Sequence, residues 1–91
     1  MVVMYYVYYL VNKGGGFRYV GVTSDLKERV LEHNKGAVES TRPYIPLKLV
    51  YYEAYLSERD AHGREFKLKH HGSVVGHLKK RIKDSLTLAV L

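Results

Sequence analysis

Residues 4 to 11, MYYVYYLV, are apolar or aromatic without interruption, and Asn12, Lys13 and three glycines close the run. A stretch rich in β-branched and aromatic residues that ends this way reads as a strand buried on both faces and stopped by a turn. The tyrosines make it an unusual core strand, because every buried hydroxyl must find a hydrogen-bond partner. Alternate residues of a strand share a face, so Tyr6, Tyr8 and Leu10 point one way and Tyr5, Val7 and Tyr9 the other.

A second strand, Phe17 to Val22, follows after five residues, which makes an antiparallel hairpin the economical connection. Gly14 to Gly16 would supply the positive φ angles of the turn. The same glycines can be read as a phosphate cradle, but the chain has no G-x-x-x-x-G-K-[ST] pattern. In the hairpin Tyr8 and Tyr19 fall on one side, within cross-strand or diagonal reach.

Thr23, Ser24 and Asp25 can each cap a helix, and Leu26 and Val30 recur at helical spacing until about Asn34 to Gly36. Residues 37 to 46 hold both prolines and read as a loop. Leu47 to Tyr55 is a third strand. Ser57 caps a second helix over about 58 to 70, Gly72 and Ser73 break it, and a basic third helix covers about 75 to 85. The tail SLTLAVL packs on the sheet, adds a strand, or buries itself in a partner chain. The predicted fold is α+β: a small three-stranded, mainly antiparallel sheet flanked by three helices in the order ββαβαα. Residues 1 to 85 form a single domain and 86 to 91 an apolar C-terminal tail.

A chain of 91 residues buries roughly 60 to 65% of its unfolded surface, enough for one core. Fifteen Lys and Arg against nine Asp and Glu leave a charge of +6, which favours nucleic-acid or anionic-surface partners. The absence of cysteine excludes disulfides, thiolate zinc sites and cysteine nucleophiles. The apolar opening MVVMYYVYYLV is well short of the ~20 residues of a spanning helix and lacks a basic start and a small-residue cleavage site. It reads as structure, and the chain as cytoplasmic with no membrane partner.

Arg29 and His33 lie four apart on the first helix and share a stripe, either a solvated face or a cation and an imidazole at one edge of a site. Ala61, Glu65 and Leu68 place a carboxylate in the middle of the core-facing stripe of the second helix. Such a group is either ion-paired with a basic residue or a metal ligand at the rim of a cleft. Four more histidines, His62, His70, His71 and His77, have no standard zinc spacing.

Taken in order, YVY at 6 to 8, YVG at 19 to 21, TSDLKERVLEHN at 23 to 34, STRP at 40 to 43, LVYYE at 49 to 53 and REFKLK at 64 to 69 resemble the GIY-YIG nuclease superfamily. They look like its small single-domain bacterial and archaeal members. Eleven residues separate the two motif tyrosines, and Arg29 lies ten beyond the second. Tyr6 and Val7 replace the namesake glycine and isoleucine of the first motif. Gly63, inside the second helix, is a further departure that costs about 1 kcal/mol relative to alanine and marks either close backbone approach or drift.

The resemblance implies a metal-dependent endonuclease acting on DNA, structure-selective or engaged in repair and recombination. Tyr8, Tyr19, Arg29, His33 and Glu65 would be its catalytic residues, with one magnesium or manganese ion on Glu65. Phosphodiester hydrolysis needs an activated water, charge neutralisation at the phosphate and stabilisation of the leaving alkoxide. Magnesium asks for only one or two carboxylates, and Arg29 offers planar, permanent charge. Tyr8 is expected to act as general base, its pKa lowered by Arg29 or the metal, with Tyr19 as its partner or a water-orienting group and His33 as an alternative base or phosphate contact.

The basic residues Lys13, Arg18, Lys67, Lys79, Lys80 and Arg81 either track a phosphate backbone or are plain solvated side chains. Lys27, Arg42 and Lys69, with Asn34, are the candidate nucleic-acid contacts. The alternative is a non-catalytic nucleic-acid-binding module or subunit that depends on a protein partner for activity. The chain is expected to be a monomer or a weak homodimer through its tail.

Overall fold

The computed structural model describes residues 2–91. Strand β1 (Tyr5–Asn12) is central in a three-stranded sheet, with β2 (Arg18–Thr23) on one side and β3 (Leu47–Tyr55) on the other, both antiparallel to it. This is the α+β architecture expected from the pattern of elements. A central strand with helices over both faces has no solvent side, which is why its sequence shows no polar alternation. The hairpin turns through Gly14 and Gly15, both at positive φ.

Helix α1 (Leu26–Asn34) is capped by Asp25, whose carboxylate accepts from the Glu28 amide at 3.2 Å. Ser57 caps α2 (Glu58–His70) in the same way through the Asp60 amide. Beyond α2 the expected course is corrected in two respects. Gly72 and Ser73 do not interrupt a helix; the break is the extended backbone of His71, and α3 (Gly72–Arg81) begins directly after it. A second kink at the buried Ile82 separates α3 from α4 (Lys83–Ala89), so among the described residues four α-helices stand where three were expected. The helical tail crosses the boundary drawn at residue 85.

Alternation along β1 divides the core in two. Val7, Tyr9 and Val11 face Ala61 and Leu68 of α2, Val75 and Leu78 of α3, Ile82, and Ala89 of α4. Tyr8 and Leu10 face the opposite way, with Leu47, Leu26, Val30, Phe17 and Tyr19. Between Tyr9 and Leu10 the register with β3 shifts, from the pair Tyr9 with Tyr51 to the pair Leu10 with Leu49. The tail packs on the first face through Leu86 and Ala89. Gly63 faces open space, so its place in α2 is not explained by close packing.

Candidate active site

Tyr8 points from β1 toward α1 and is 1% exposed; His33, which projects from α1 to meet it, is wholly buried. Their polar atoms, Oη and Nε2, are 2.8 Å apart. On its other side His33 Nδ1 lies 2.8 Å from Thr41 Oγ1, and that hydroxyl donates in turn to the Val38 carbonyl at 3.4 Å. The direction of the chain follows. Because the Thr41 proton is directed at Val38, its oxygen accepts from His33 Nδ1–H, and Nε2 is left as the acceptor for the Tyr8 hydroxyl. Arg29 completes the row by donating Nε–H to Tyr8 Oη at 3.4 Å.

The electrostatics correct one expectation. Arg29 does draw the Tyr8 phenol downward, but burial outweighs it and the pKa is pushed up to about 12, with the charges of Tyr19 and Glu65 adding to the rise. Tyr8 is therefore a neutral phenol at pH 7 and holds its proton toward His33. Burial, helped by Arg29, holds His33 below the ordinary imidazole range, so its ring is neutral and Nε2 is free to accept.

Tyr19 stands diagonal to Tyr8 across the hairpin, where Leu10 is its direct partner. Its ring is 6.2 Å from that of Tyr8 and 5.0 Å from that of His33. Gly21 is the direct partner of Tyr8, and a Cβ there would fall 2.6 Å from Tyr8 Cζ and 2.9 Å from Cε1. The glycine of the second motif is thus a space kept for the phenol.

Glu65 arrives from α2. Its carboxylate lies 3.1 Å from Lys69 Nζ, and Lys69 in turn sits 5.5 Å from the centre of the Tyr19 ring. The other carboxylate oxygen is 3.5 Å from His62. Glu65 is thus ion-paired, the first of its two readings, and its charge is felt at Tyr8. Among the described residues no three His, Asp or Glu converge on a point. The donor set for a cation is thus one partly exposed carboxylate, a set suited to a hard ion that keeps most of its waters and takes phosphate oxygens from a substrate.

The surrounding candidates divide. Lys27 is exposed and lines an apolar groove of about 570 Å³ with Tyr6, Val30, Leu49 and Tyr52. Arg42 is exposed and donates Nε–H to the Gly36 carbonyl at 2.7 Å, keeping its terminal nitrogens. Asn34 is a correction: its amide donates to the Leu47 carbonyl at 2.9 Å and accepts from the Leu47 amide at 2.7 Å, so it ties α1 to β3 and does not face a ligand.

Sequence reasoning missed one participant in the site, Thr41, and one ion pair outside it. Thr41 lies inside the quoted STRP loop, but only the fold brings a residue eight positions after His33 back onto its ring. Glu53 and Arg64, likewise inside quoted stretches, form a bidentate pair on the far face of the sheet, with both Nε–Oε1 and Nη2–Oε2 at 2.9 Å. Tyr51 and Tyr55 donate to the same carboxylate. Burial would raise the Glu53 pKa, but Arg64 and the two phenols outweigh it and hold it below the ordinary carboxylate range. Three of the many tyrosines are thereby accounted for: Tyr8 finds a histidine, Tyr51 and Tyr55 a carboxylate.

The chain that brings this tyrosine, imidazole, arginine and glutamate together belongs to the GIY-YIG family. The family model described as the GIY-YIG catalytic domain matches residues 4–74. Its relatives carry the name UPF0213: the chain is 39% identical over 67 residues to a UPF0213 protein of Lacticaseibacillus paracasei, covering 72% of this chain and 74% of that one. It is 40% identical over 67 residues to a UPF0213 protein of Clostridium perfringens, covering 72% and 71%. The solution structure of a UPF0213 protein from Bacillus halodurans aligns over 96% of this chain and 86% of that one, with 28% identity and a TM-score of 0.49. Membership places the chain in a nuclease superfamily. No helix among the described residues is long and apolar enough to cross a membrane.

Proposed function

We propose that the chain is an endonuclease that hydrolyses phosphodiester bonds in DNA, with Tyr8, Tyr19, Arg29, His33 and Glu65 as its catalytic residues. The observation that carries this reading is the directed row from Arg29 through Tyr8 and His33 to Thr41. A phenol pushed up to about 12 is a poor base by itself. Tyr8 can nevertheless take a proton from an incoming water if its own passes to His33 Nε2, which is 2.8 Å away and neutral. Tyr8 is then the group in contact with the nucleophile and His33 the site that receives the proton.

Arg29 serves twice. Its Nε holds the Tyr8 oxygen, and its terminal nitrogens, held by a 3.9 Å pair to Glu32, can face the phosphate. Tyr19 lies beside Tyr8 and His33, placed to orient the water or the leaving oxygen. A divalent ion on Glu65, magnesium or manganese, would neutralise phosphate charge and acidify a bound water. Lys69 would then release the carboxylate and turn to the backbone of the substrate.

The test is cleavage of branched, flapped, single-stranded and plasmid DNA with magnesium or manganese by purified protein. Tyr8→Phe and Glu65→Gln should each lower the rate by about 10²- to 10⁴-fold. Unchanged cutting in either variant removes the assignment. The pairing of Glu65 with Lys69 and His62 favours one rival, a binding module without catalysis. Strong, salt-dependent binding with no cutting under either metal would establish that rival.

A further inference from the structure

Phe17 and Tyr44 form a parallel stack, with ring centres 3.7 Å apart and planes inclined by 2°. Phe17 is anchored in the core beside Tyr8 and Leu10, whereas Tyr44 is 41% exposed. One face of the Tyr44 ring is therefore covered by Phe17 and the other is open to solvent. Tyr44, like Tyr6 and Tyr52, lies in neither core cluster, but it alone of the three is stacked face to face on another ring.

Position connects this stack to the candidate active site. Tyr44 belongs to a 3-10 turn, Arg42–Tyr44, and its backbone N–H donates to the Thr41 carbonyl at 2.9 Å; Thr41 is the residue that holds His33. Phe17 lies two residues before Tyr19 in the chain, on the same side of the hairpin. Two residues of strand advance by about 7 Å, a step on the scale of one nucleotide along a strand. The exposed Arg42 belongs to the same 3-10 turn as Tyr44 and supplies a cation two residues before it.

We infer that the open face of Tyr44 is a platform for one unpaired nucleobase of a substrate whose phosphate lies at Tyr8, Arg29 and Glu65. This rests on the nuclease reading and narrows it. A base inside a duplex has both faces covered by its neighbours and cannot lie on Tyr44, whereas a base in a single strand, flap, overhang or bulge can. Stacking is tolerant of base identity because every base has a π face. The substrate class is thus a nucleic acid with a single-stranded segment next to the scissile bond, chosen by strand state and not by sequence.

The experiment measures binding by the full chain in metal-free buffer at one fixed salt concentration, so its outcome is independent of whether the protein cuts. Probes are a labelled oligothymidylate, the corresponding oligouridylate and a hairpin duplex, and the quantity read is the ratio of single-strand to duplex affinity. Tyr44→Ala should lower that ratio roughly tenfold, and Tyr44→Phe should restore it, since the ring and not the hydroxyl makes the stack. An oligothymidylate scanned with single abasic sites should show one sensitive position in the native chain and none in Tyr44→Ala. Loss on either sugar supports the platform, and the tighter of the two names the polymer. An unchanged ratio in Tyr44→Ala, a Tyr44→Phe variant as weak as the alanine, or an abasic profile without a sensitive position would overturn it. A protein that meets these expectations yet never cuts with metal loses the nuclease reading and keeps the platform.

Discussion

Gly21 lies directly across the hairpin from Tyr8, and the phenol fills the volume that a side chain at Gly21 would take. Gly21→Ala should therefore act on Tyr8. Overpacking a closed site costs about 1 to 3 kcal/mol, readable in urea unfolding, and cleavage should fall by about 10²-fold or more as Oη leaves His33. Adding Tyr8→Phe should recover part of the lost stability and none of the activity, because it removes the oxygen closest to the new methyl. If the two substitutions are simply additive in stability, the proposed contact is wrong.

Thr41 fixes which nitrogen of His33 carries its proton. Thr41→Val keeps the shape and removes the acceptor at Nδ1, so the ring can turn to the other tautomer and present Nε2–H to Tyr8. Cleavage should drop about tenfold or more while the unfolding midpoint moves modestly, by about 1 to 3 kcal/mol for one unpaired buried group. Cleavage at the native rate would show that His33 does not accept the Tyr8 proton.

Stability should fall with acid in two ranges. His33 has its folded pKa below the ordinary 6.5, since burial and then Arg29 oppose the charged ring, with Glu32 acting the other way. Its share of stability is complete above 6.5 and is lost as pH falls through the folded value. Tyr8, Tyr19 and Thr41 face the ring from the other elements. Glu53, also lowered, contributes above its ordinary 4.5 and loses that share as pH falls through its own folded value. Urea midpoints across this range should show the upper step vanish in His33→Gln and the lower in Glu53→Gln. The same His33 titration should form the acid limb of the cleavage rate, placed below 6.5.

Gly63 has no neighbour that an added methyl would meet, and it lies well inside α2. Gly63→Ala should stabilise the fold by about 1 kcal/mol through helix propensity alone, raising the thermal midpoint without changing cleavage. A destabilised variant would mean that the helix needs its glycine.

The sheet was legible because its signals are local. An unbroken apolar run, three glycines and a strand-length gap specify a hairpin, and Asp25 and Ser57 mark helix starts that the structure uses. Tyr8 and Tyr19 could be brought together from alternation alone. The tail was not legible, since SLTLAVL has no period that separates helix from strand in seven residues, and burial of Leu86 and Ala89 on the sheet decides it. The pKa of Tyr8 was misjudged for a related reason: the charge of Arg29 can be read from a sequence, whereas the depth at which a phenol is sealed cannot. Thr41 and the partnership of Glu53 with Arg64 depend on chain reversals that no spacing encodes.

The row from Arg29 to Thr41 has one open end. His33 is wholly enclosed, and beyond Nδ1 the Thr41 hydroxyl leads to the Val38 carbonyl, which has no proton to pass on. A proton that reaches Nε2 must leave by the Tyr8 oxygen through which it came. Such a cul-de-sac cannot drain to bulk water between the attack and the departure of the leaving oxygen, so one imidazole would serve as sink for the first event and source for the second.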